Sequence, residues 1–386
     1  MVSAPRSARG FTLVELMVAL MLSLVLAVVL LKLQARFGQQ IVRSSDVAVR
    51  DAQSRAAMDL ITRDLSGAGF LFGGTQNFCN ALLTYNAAAA SYFVHHPVDA
   101  VAASFGATMK FAPSLTLDYP PSGSSMPSDV LVVAGSSAST SFDDATYPIV
   151  NVLPNPAYAP MTTGVVPLVN AGGFTSGDVG ILQVPVSGKR ACLRVPLAVA
   201  GAVVSSAGAL MPGSYYAGFA TQMTAMGMTD TLSDAAILQG RMTTMGATAT
   251  PVQTKTVFYV ARGSAAFPIL MRATYSLLDD TMVGQPQAIA AGVVSLQVRF
   301  GVDPGGTGAV TAYHSADSVT ANKYWDAVRS VKVAIVTRTL SDDAAYSADT
   351  VTLDSAFTGI TGLPDANRRY KVDQTEVASR NLLLWK

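Results

Sequence analysis

Residues 10–31 of the 386-residue chain read GFTLVELMVALMLSLVLAVVLL, and this stretch determines how the rest of the chain is interpreted. Residues 11–31 carry one charged side chain, that of Glu15. A helix of this length extends about 31 Å, which is enough to cross the hydrocarbon core of a bilayer. We therefore predict a transmembrane helix at residues 11–31.

A short basic leader, residues 1–10, precedes the apolar stretch. It contains Arg6 and Arg9 and no acidic residue, and no arginine follows the stretch immediately. Basic residues favour the cytoplasmic side of a span, so we predict a cytoplasmic N-terminus and an exported C-terminus. An ordinary secretory signal has a shorter apolar core, with its small-residue cleavage site after that core. Here the small residue, Gly10, comes before it.

Glu15 is the unusual residue of the span. A carboxylate inside an apolar helix costs about 2.5–3.5 kcal/mol on insertion scales and usually has a partner and a function. If the chain is cut after Gly10, the new amine of Phe11 lies four residues away and can neutralise Glu15 of its own or a neighbouring chain. The alternative is a plain signal anchor whose Glu15 is solvated near the membrane surface.

The helix is predicted to continue past the membrane as an amphipathic half, residues 32–66. Residues 32–65 contain no proline, and Gly38 is their one glycine, a possible soft point between the halves. Apolar side chains recur at helical spacing at Ala48, Ala52, Ala56 and Leu60, and at Met58, Ile61 and Leu65. The sequence SGAGF, residues 66–70, supplies the stop. We predict one helix over residues 11–65 whose second half covers a globular head.

The head, residues 67–386, is predicted to be rich in β-strands. Strand-like runs occupy residues 130–134, 179–185, 254–261, 269–276, 293–300, 328–339 and 370–379. The sequence DPGGTG, residues 303–308, predicts a hairpin loop. Residues 80–250 have few charges and weak periodicity, and we interpret them as a large mainly-β insertion or second lobe.

Composition argues against several functional classes. The formal net charge is +1, and no basic patch is interleaved with aromatic residues, so we expect no nucleic-acid partner. The histidines His95, His96 and His314 lack zinc-site spacing, and we find no calcium loop, nucleophile elbow or phosphate-binding loop. We therefore expect no metal, no cofactor and no enzymatic activity. The histidines are expected on the surface or in the core, and paired aspartates such as Asp342 and Asp343 in solvated turns.

The chain contains two cysteines, Cys79 and Cys192. An even number in an exported chain permits one disulfide, and two buried free thiols are the alternative.

The motif at residues 10–16, GFTLVEL, resembles the class III signal of type IV pilins and of type II secretion pseudopilins. The resemblance implies that a prepilin peptidase cuts between Gly10 and Phe11 and methylates the amine of Phe11. It also implies that Glu15 pairs with the Phe11 amine of an adjacent subunit during assembly.

Further motifs resemble PilW-type minor pilins. They are DLSGAGF at residues 64–70, FYVARGS at 258–264, LMR at 270–272, and the runs at 291–303, 328–338 and 368–381. The resemblance covers residues 10–78 and 255–385 and leaves the middle without a match. It implies an α+β fold of the type IV pilin class, with the long helix packed on an antiparallel sheet.

The function implied is that of a minor pilin that primes type IV pilus assembly and is incorporated at low copy at the tip, supporting motility and adhesion. Its partners would be other minor pilins, the major pilin, the prepilin peptidase and the inner-membrane assembly platform. It would lie in the inner membrane with a periplasmic head and then in the fibre. The alternatives are a minor pseudopilin of a type II secretion system, and a signal-anchored adhesin or enzyme with its site in residues 80–250.

Overall fold

The structure is a computed structural model. It describes residues 12–69, 82–86, 91–103, 108–109, 112–116, 128–135, 149–186, 189–200, 203–206, 223, 232–247, 254–262, 267–276, 282–343, 346, 351–357 and 367–378.

One helix dominates the described chain. Helix α1 spans Leu13–Ser66 without interruption at Gly38, as the absence of proline and the spacing of apolar residues predict. The helix ends because Gly67 caps it and Gly69 follows with a φ of 77°, a left-handed conformation that favours glycine.

The remaining described elements are mainly strands. In chain order they are β1 Leu82–Asn86, β2 Ser91–His95, β3 Val98–Ala103, β4 Thr108–Met109, β5 Ala112–Thr116, β6 Ser128–Gly135, β7 Ile149–Asn151, β8 Val165–Pro167, β9 Asp178–Val186, β10 Lys189–Ala200, β11 Val203–Ser206, β12 Arg241–Ala247, β13 Thr254–Arg262, β14 Pro268–Ser276, β15 Gln287–Ala291, β16 Val293–Val302, β17 Ala312–His314, β18 Val328–Arg338 and β19 Tyr370–Ala378. Short helices are α2 Pro160–Thr163, α3 Asp234–Leu238, α4 Ala316–Ala321 and a 3-10 turn at Trp325–Ala327.

Two antiparallel sheets and the second half of α1 form what we call the first lobe. One sheet has the order β17-β16-β18-β19 and the other β15-β14-β13-β6-β3. Helix α1 contacts β15, β18 and β19, so it lies against both sheets. A single apolar core joins the helix residues Ala57, Ile61 and Leu65 to strands of both sheets. The α+β, pilin-like layout expected from the sequence is confirmed.

Side chains of β6 connect the two sheets of the first lobe. The Ser128 hydroxyl accepts a hydrogen bond from the backbone N–H of Leu296 (3.0 Å), and the Asp129 carboxylate accepts one from Val298 (2.9 Å). Both donors lie on β16 beyond its short pairing with β17. Buried N–H groups of this strand edge are thus satisfied by side chains instead of a further strand.

The second lobe is an eight-stranded sheet of order β2-β1-β10-β9-β12-β7, extended by β11 and β8. Among its described strands, β1 and β10 pair in parallel and the other pairs are antiparallel. It has its own apolar core, which includes Leu182, Val184, Leu193 and Met242.

The interpretation of residues 80–250 as one insertion needs a finer division. Strands β3 and β6 lie within that range but pair into the five-stranded sheet of the first lobe. The second lobe is built from β1, β2 and β7 to β12, whereas β4 and β5 pair with each other in a separate two-stranded sheet. This division results from strand pairing between distant parts of the chain, which no local sequence pattern predicts.

The individual strand predictions are confirmed at β6, β9, β13, β14, β16, β18 and β19, with ends shifted by one or two residues. The hairpin loop at residues 303–308 is also confirmed, since β16 and β17 on its two sides pair antiparallel. The Asp303 carboxylate closes this loop by accepting hydrogen bonds from the N–H groups of Thr307 and Gly308.

Candidate functional site

The start of α1 is organised by a capping box. Thr12 is the N-cap, and its hydroxyl accepts a hydrogen bond from the Glu15 N–H (3.2 Å). In return, Oε2 of Glu15 accepts hydrogen bonds from the Thr12 N–H (3.0 Å) and the Thr12 hydroxyl (3.1 Å). This reciprocal arrangement satisfies two backbone donors that the first turn otherwise leaves open.

The capping box was missed in the sequence analysis, which began the helix at Phe11. The signal for it is present, because Thr12 and Glu15 form the T-x-x-E pattern just before an apolar run. Gly10 and Phe11, the residues of the predicted cleavage site, lie outside the described residues.

Glu15 keeps one oxygen for another partner. Both of its contacts use Oε2, and within the described chain Oε1 accepts no hydrogen bond. The side chain is exposed on the first turn of the helix. A carboxylate in this state can bind a cation from another chain without giving up its role in the cap.

Helix α1 contains the described segment that is long and apolar enough to cross a membrane, and none of that segment is buried in the structure. From the end of the predicted span onward, apolar side chains recur between polar ones along the side of the helix that faces away from the head. We call this row the back stripe: Leu30, Phe37, Ile41, Ala48 and Ala52. By helical geometry it lies about 120–180° around the axis from Ile61, whose side chain is fully buried in the head. Phe37 and Ile41 are 61% and 67% exposed.

The opposite side of α1 makes polar contacts with the head over six turns. Near the start of the interface, Arg43 bonds Asp343 (2.7 Å) and Arg50 donates to the Arg369 carbonyl (3.3 Å). Further along, Ser54 donates to Asp373, and Gln53 accepts from the Ala291 N–H (3.0 Å). At the far end, Nε and Nη2 of Arg272 both donate to Asp64 at 3.1 Å. These contacts fix which side of the helix faces the head.

Asp343 is the most enclosed of these charges. Its side chain is 7% exposed and lies between Arg43 of the helix and Arg369 of the head, the latter at 3.2 Å. The expectation of a solvated aspartate pair therefore holds for Asp342, which is 69% exposed, and is wrong for Asp343. Adjacent residues point in different directions, and the helix covers the second of them.

Two cations follow the span on the side of the head. Lys32 and Arg36 are exposed and form no ion pair within the described chain. Together with Arg43 they outnumber the leader arginines Arg6 and Arg9, so the count of basic residues does not by itself place the N-terminus in the cytoplasm. The predicted orientation consequently depends on the leader motif.

Other predicted positions have separate locations. Cys192 is fully buried in β10, whereas Cys79 lies outside the described residues, so their pairing stays a prediction. His96 is 7% exposed and stacks on Trp325 with ring centroids 3.8 Å apart, which makes it a core residue. His314 contacts the Ser318 hydroxyl on α4 (3.1 Å). The described residues contain no group of three or more His, Cys, Asp and Glu side chains that could hold a metal ion.

One small cavity of about 180 Å³ lies in the second lobe and is lined by Gln183, Pro185, Gln239, Gly240 and Arg241. It is smaller than the usual ligand pocket of about 300–1,000 Å³ and has one ionisable side chain. It therefore gives no support to a catalytic site in this region.

The apolar anchor helix, its capping box and the sheets laid against its second half define a membrane-anchored, pilin-like protein. Comparison with known families agrees. The family described as Prokaryotic N-terminal methylation motif matches residues 5–31, and the family described as Type IV Pilus-assembly protein W matches residues 257–381. Each match covers less than half of the chain, and together they support a PilW-type, pilin-like protein associated with type IV pilus assembly. No curated protein and no solved structure matches the chain significantly.

Proposed function

We propose that this protein is a minor pilin that helps to prime type IV pilus assembly and is incorporated at low copy, at the tip, in support of motility and adhesion. The observation that carries the proposal is the back stripe, an uncovered apolar row on a helix already long enough to span a membrane. The alternative of a type II secretion pseudopilin shares the leader, but the match to a pilus-assembly family favours the pilus.

The position of the back stripe argues for a protein partner. Counted from Leu31, Phe37 and Ile41 lie about 9 and 15 Å further along the helix, at or beyond the head-group layer of a bilayer. Burying each of these side chains would contribute about 1.5–3 kcal/mol. Under this proposal, helices of other minor pilins and of the major pilin would cover these side chains.

The N-terminus would be processed before assembly. A prepilin peptidase would cut between Gly10 and Phe11 and methylate the Phe11 amine. Glu15, with Oε1 available, would then pair with the Phe11 amine of an adjacent subunit. This pairing would remove the cost of an unpaired carboxylate in an apolar environment and align neighbouring helices along the axis.

The protein would begin in the inner membrane with its head in the periplasm, where it meets the assembly platform, and would end in the fibre. The match to a family described as a pilus-assembly protein supports a structural role.

Mass spectrometry of the mature N-terminus tests the processing step. The expected result is a chain that begins with methylated Phe11. A chain in purified pili that still begins with Met1 would contradict the proposal.

A paired substitution in the back stripe tests the assembly role. Phe37→Ser with Ile41→Ser should leave membrane insertion intact and reduce recovery of the protein in sheared pili. Gln40→Ser, exposed on the same turns outside the back stripe, is the matched control and should behave as the unmodified protein. Equal recovery of all three proteins in pili would argue against helix packing through this surface.

Deletion of the gene tests priming itself. The expected result is a marked loss of surface pili counted by electron microscopy, restored by the full chain and not by a Glu15→Leu variant. A deletion strain with normal numbers of pili would remove the priming role.

A further inference from the structure

The two cations that follow the span occupy a defined depth. Lys32 and Arg36 come one and five residues after Leu31, about 1.5 and 7.5 Å along the helix axis. The polar head-group layer on each side of a bilayer is about 5–7 Å thick. Lys32 therefore starts within the layer that contains lipid phosphates and Arg36 at its outer edge, on the side of the membrane where the head lies.

These cations also face a defined direction. By helical geometry Lys32 and Arg36 lie within about 20° of Arg43 and Ile61 around the axis, on the line that contacts the head. They lie on the opposite side of the helix from the back stripe, so helices that pack on the back stripe leave them uncovered.

A groove of about 630 Å³ begins at the level of Arg36 and extends away from the membrane, between the helix and the head. Its helix wall is formed by Ala35, Gly38, Gln39, Val42 and Arg43, and its roof by Asp342 and Asp343. The groove is deeper at Gly38 because glycine has no side chain, and an added Cβ there would meet no atom within 4 Å. The groove is therefore wide enough for a polar group that rises from the membrane surface.

The end of the groove nearest the membrane is positively charged, because the acidic residues around the groove are already paired. The roof aspartates are paired, Asp342 with Arg368 (2.9 Å) and Asp343 with Arg43 and Arg369. Asp46 lies about 15 Å beyond Arg36 along the axis. Within the described chain, Lys32 and Arg36 are thus cations without an acidic neighbour at their own depth.

We propose that Lys32 and Arg36 bind the phosphate of an anionic phospholipid in the leaflet on the side of the head, with the lipid head group in the groove below Asp342 and Asp343. Residues four apart on a helix are neighbours, with Cβ atoms about 5–6 Å apart, so both side chains reach one phosphate. The proposal rests on the membrane anchoring described above. A bound lipid would fix how deeply the helix sits before the subunit leaves the membrane.

Spin-labelled lipids test the proposal on the full chain reconstituted in vesicles of phosphatidylcholine and phosphatidylglycerol. Electron paramagnetic resonance gives the association of labelled phosphatidylglycerol with the protein relative to labelled phosphatidylcholine. We expect a preference for phosphatidylglycerol that falls about fivefold for each cation removed, and that weakens with added salt.

Three variants make the test specific. Lys32→Gln with Arg36→Gln should abolish the preference, whereas Lys32→Arg with Arg36→Lys should retain it. Arg55→Gln with Arg63→Gln removes the same charge from exposed positions further along the same helix and should retain it as well. An equal loss in that control, or no loss in the first variant, would overturn the proposal.

Resistance to alkaline carbonate extraction, measured in the same samples, separates this idea from the proposed anchoring. Insertion of the unmodified protein without any lipid preference refutes the lipid site and leaves the anchor intact. Failure to insert refutes both.

Discussion

The fold strongly alters the ionisation of Asp129, on β6. Burial raises the pKa of its carboxyl to about 6, outweighing the hydrogen bond from the Val298 N–H and the attraction of Arg299 at 3.3 Å. The ordinary value is 3.8, so between about pH 4 and pH 6 the folded protein holds a proton that the unfolded chain releases. The free energy of unfolding therefore falls as the pH rises through this window.

The corresponding prediction compares the protein with Asp129→Asn, which retains an acceptor for the Val298 N–H. The stability of the variant relative to the unmodified protein should rise by about 3 kcal/mol between about pH 4 and pH 7, because the unmodified protein loses that contribution. Denaturant unfolding of both full-length proteins in detergent measures the difference. A difference that does not change with pH would show that the carboxyl is not perturbed.

Gly292 lies at the point where the chain passes from one sheet of the first lobe to the other, between β15 and β16. Its φ is 78°, and an added Cβ would lie 2.5 Å from the Arg338 carbonyl oxygen. Hydrogen bonds from Gly292 to Pro268 (2.7 Å) and from Arg338 to Gly292 (2.8 Å) hold the backbone in place.

We expect Gly292→Ala to lower the free energy of unfolding by about 3–5 kcal/mol, since both the left-handed backbone and the close carbonyl oppose a side chain. Gly284→Ala is the matched control. Gly284 has a φ of 79° with no atom within 4 Å of an added Cβ, so it should cost about 1–2 kcal/mol. Equal costs at the two positions would mean that the contact with Arg338 is unimportant.

At the scale of elements, the ion pair between Asp64 and Arg272 joins the end of α1 to β14. The two side chains are 14% and 24% exposed, so solvent screens the pair only in part. Asp64→Ala should cost about 1–2 kcal/mol, because Arg272 then loses its charged partner in a half-buried site. Asp59→Ala, exposed on the same helix, should change stability by less than about 0.5 kcal/mol.

A double-mutant cycle with Arg272→Met isolates the interaction. If Asp64→Ala lowers the free energy of unfolding equally in the presence and absence of Arg272, the ion pair does not stabilise the junction between α1 and β14.

Gly38, within α1, contrasts with Gly292 because an added side chain there would meet no neighbouring atom. Its surroundings are empty, so Gly38→Ala should not disturb the head and should stabilise the local helix by about 1 kcal/mol. Hydrogen exchange at amides near residue 38 should slow about fivefold in detergent, with no change at Ile61. Faster exchange near residue 38 would mean that the glycine serves a local packing that the single chain does not display.

At the scale of the whole molecule, the two lobes have separate apolar cores. Cys192 lies on β10, in the second lobe. If Cys79 is its partner, the disulfide joins the segment after α1 to this lobe. Reduction should then lower the stability of the second lobe by about 2–5 kcal/mol, detected as an earlier loss of protection at Leu182 and Met242 than at Ile61 and Val333. Full alkylation of both cysteines without reductant would rule the bridge out.

Much of the molecule was predictable because its signals are local. The apolar run and Glu15 specify the anchor, the spacing of apolar residues specifies the second half of α1, and alternation and turn residues specify the long strands. The capping box at Thr12 was equally readable. In contrast, the assignment of β3 and β6 to the first lobe depends on the pairing of β6 with β13, more than one hundred residues along the chain, for which neighbouring residues carry no signal.

The sequence alone thus determined the kind of protein, since a span, a leader motif and a series of strands are encoded in contiguous residues. Only the tertiary structure decided which side of α1 meets the head. That choice separates the back stripe from the line of Lys32, Arg36 and Arg43, and it buries Asp343 while Asp342 stays in solvent. The physical reason is that the rotation of a helix is set by the sum of contacts along its length, from Arg43 to Asp64, and those partners come from distant parts of the chain.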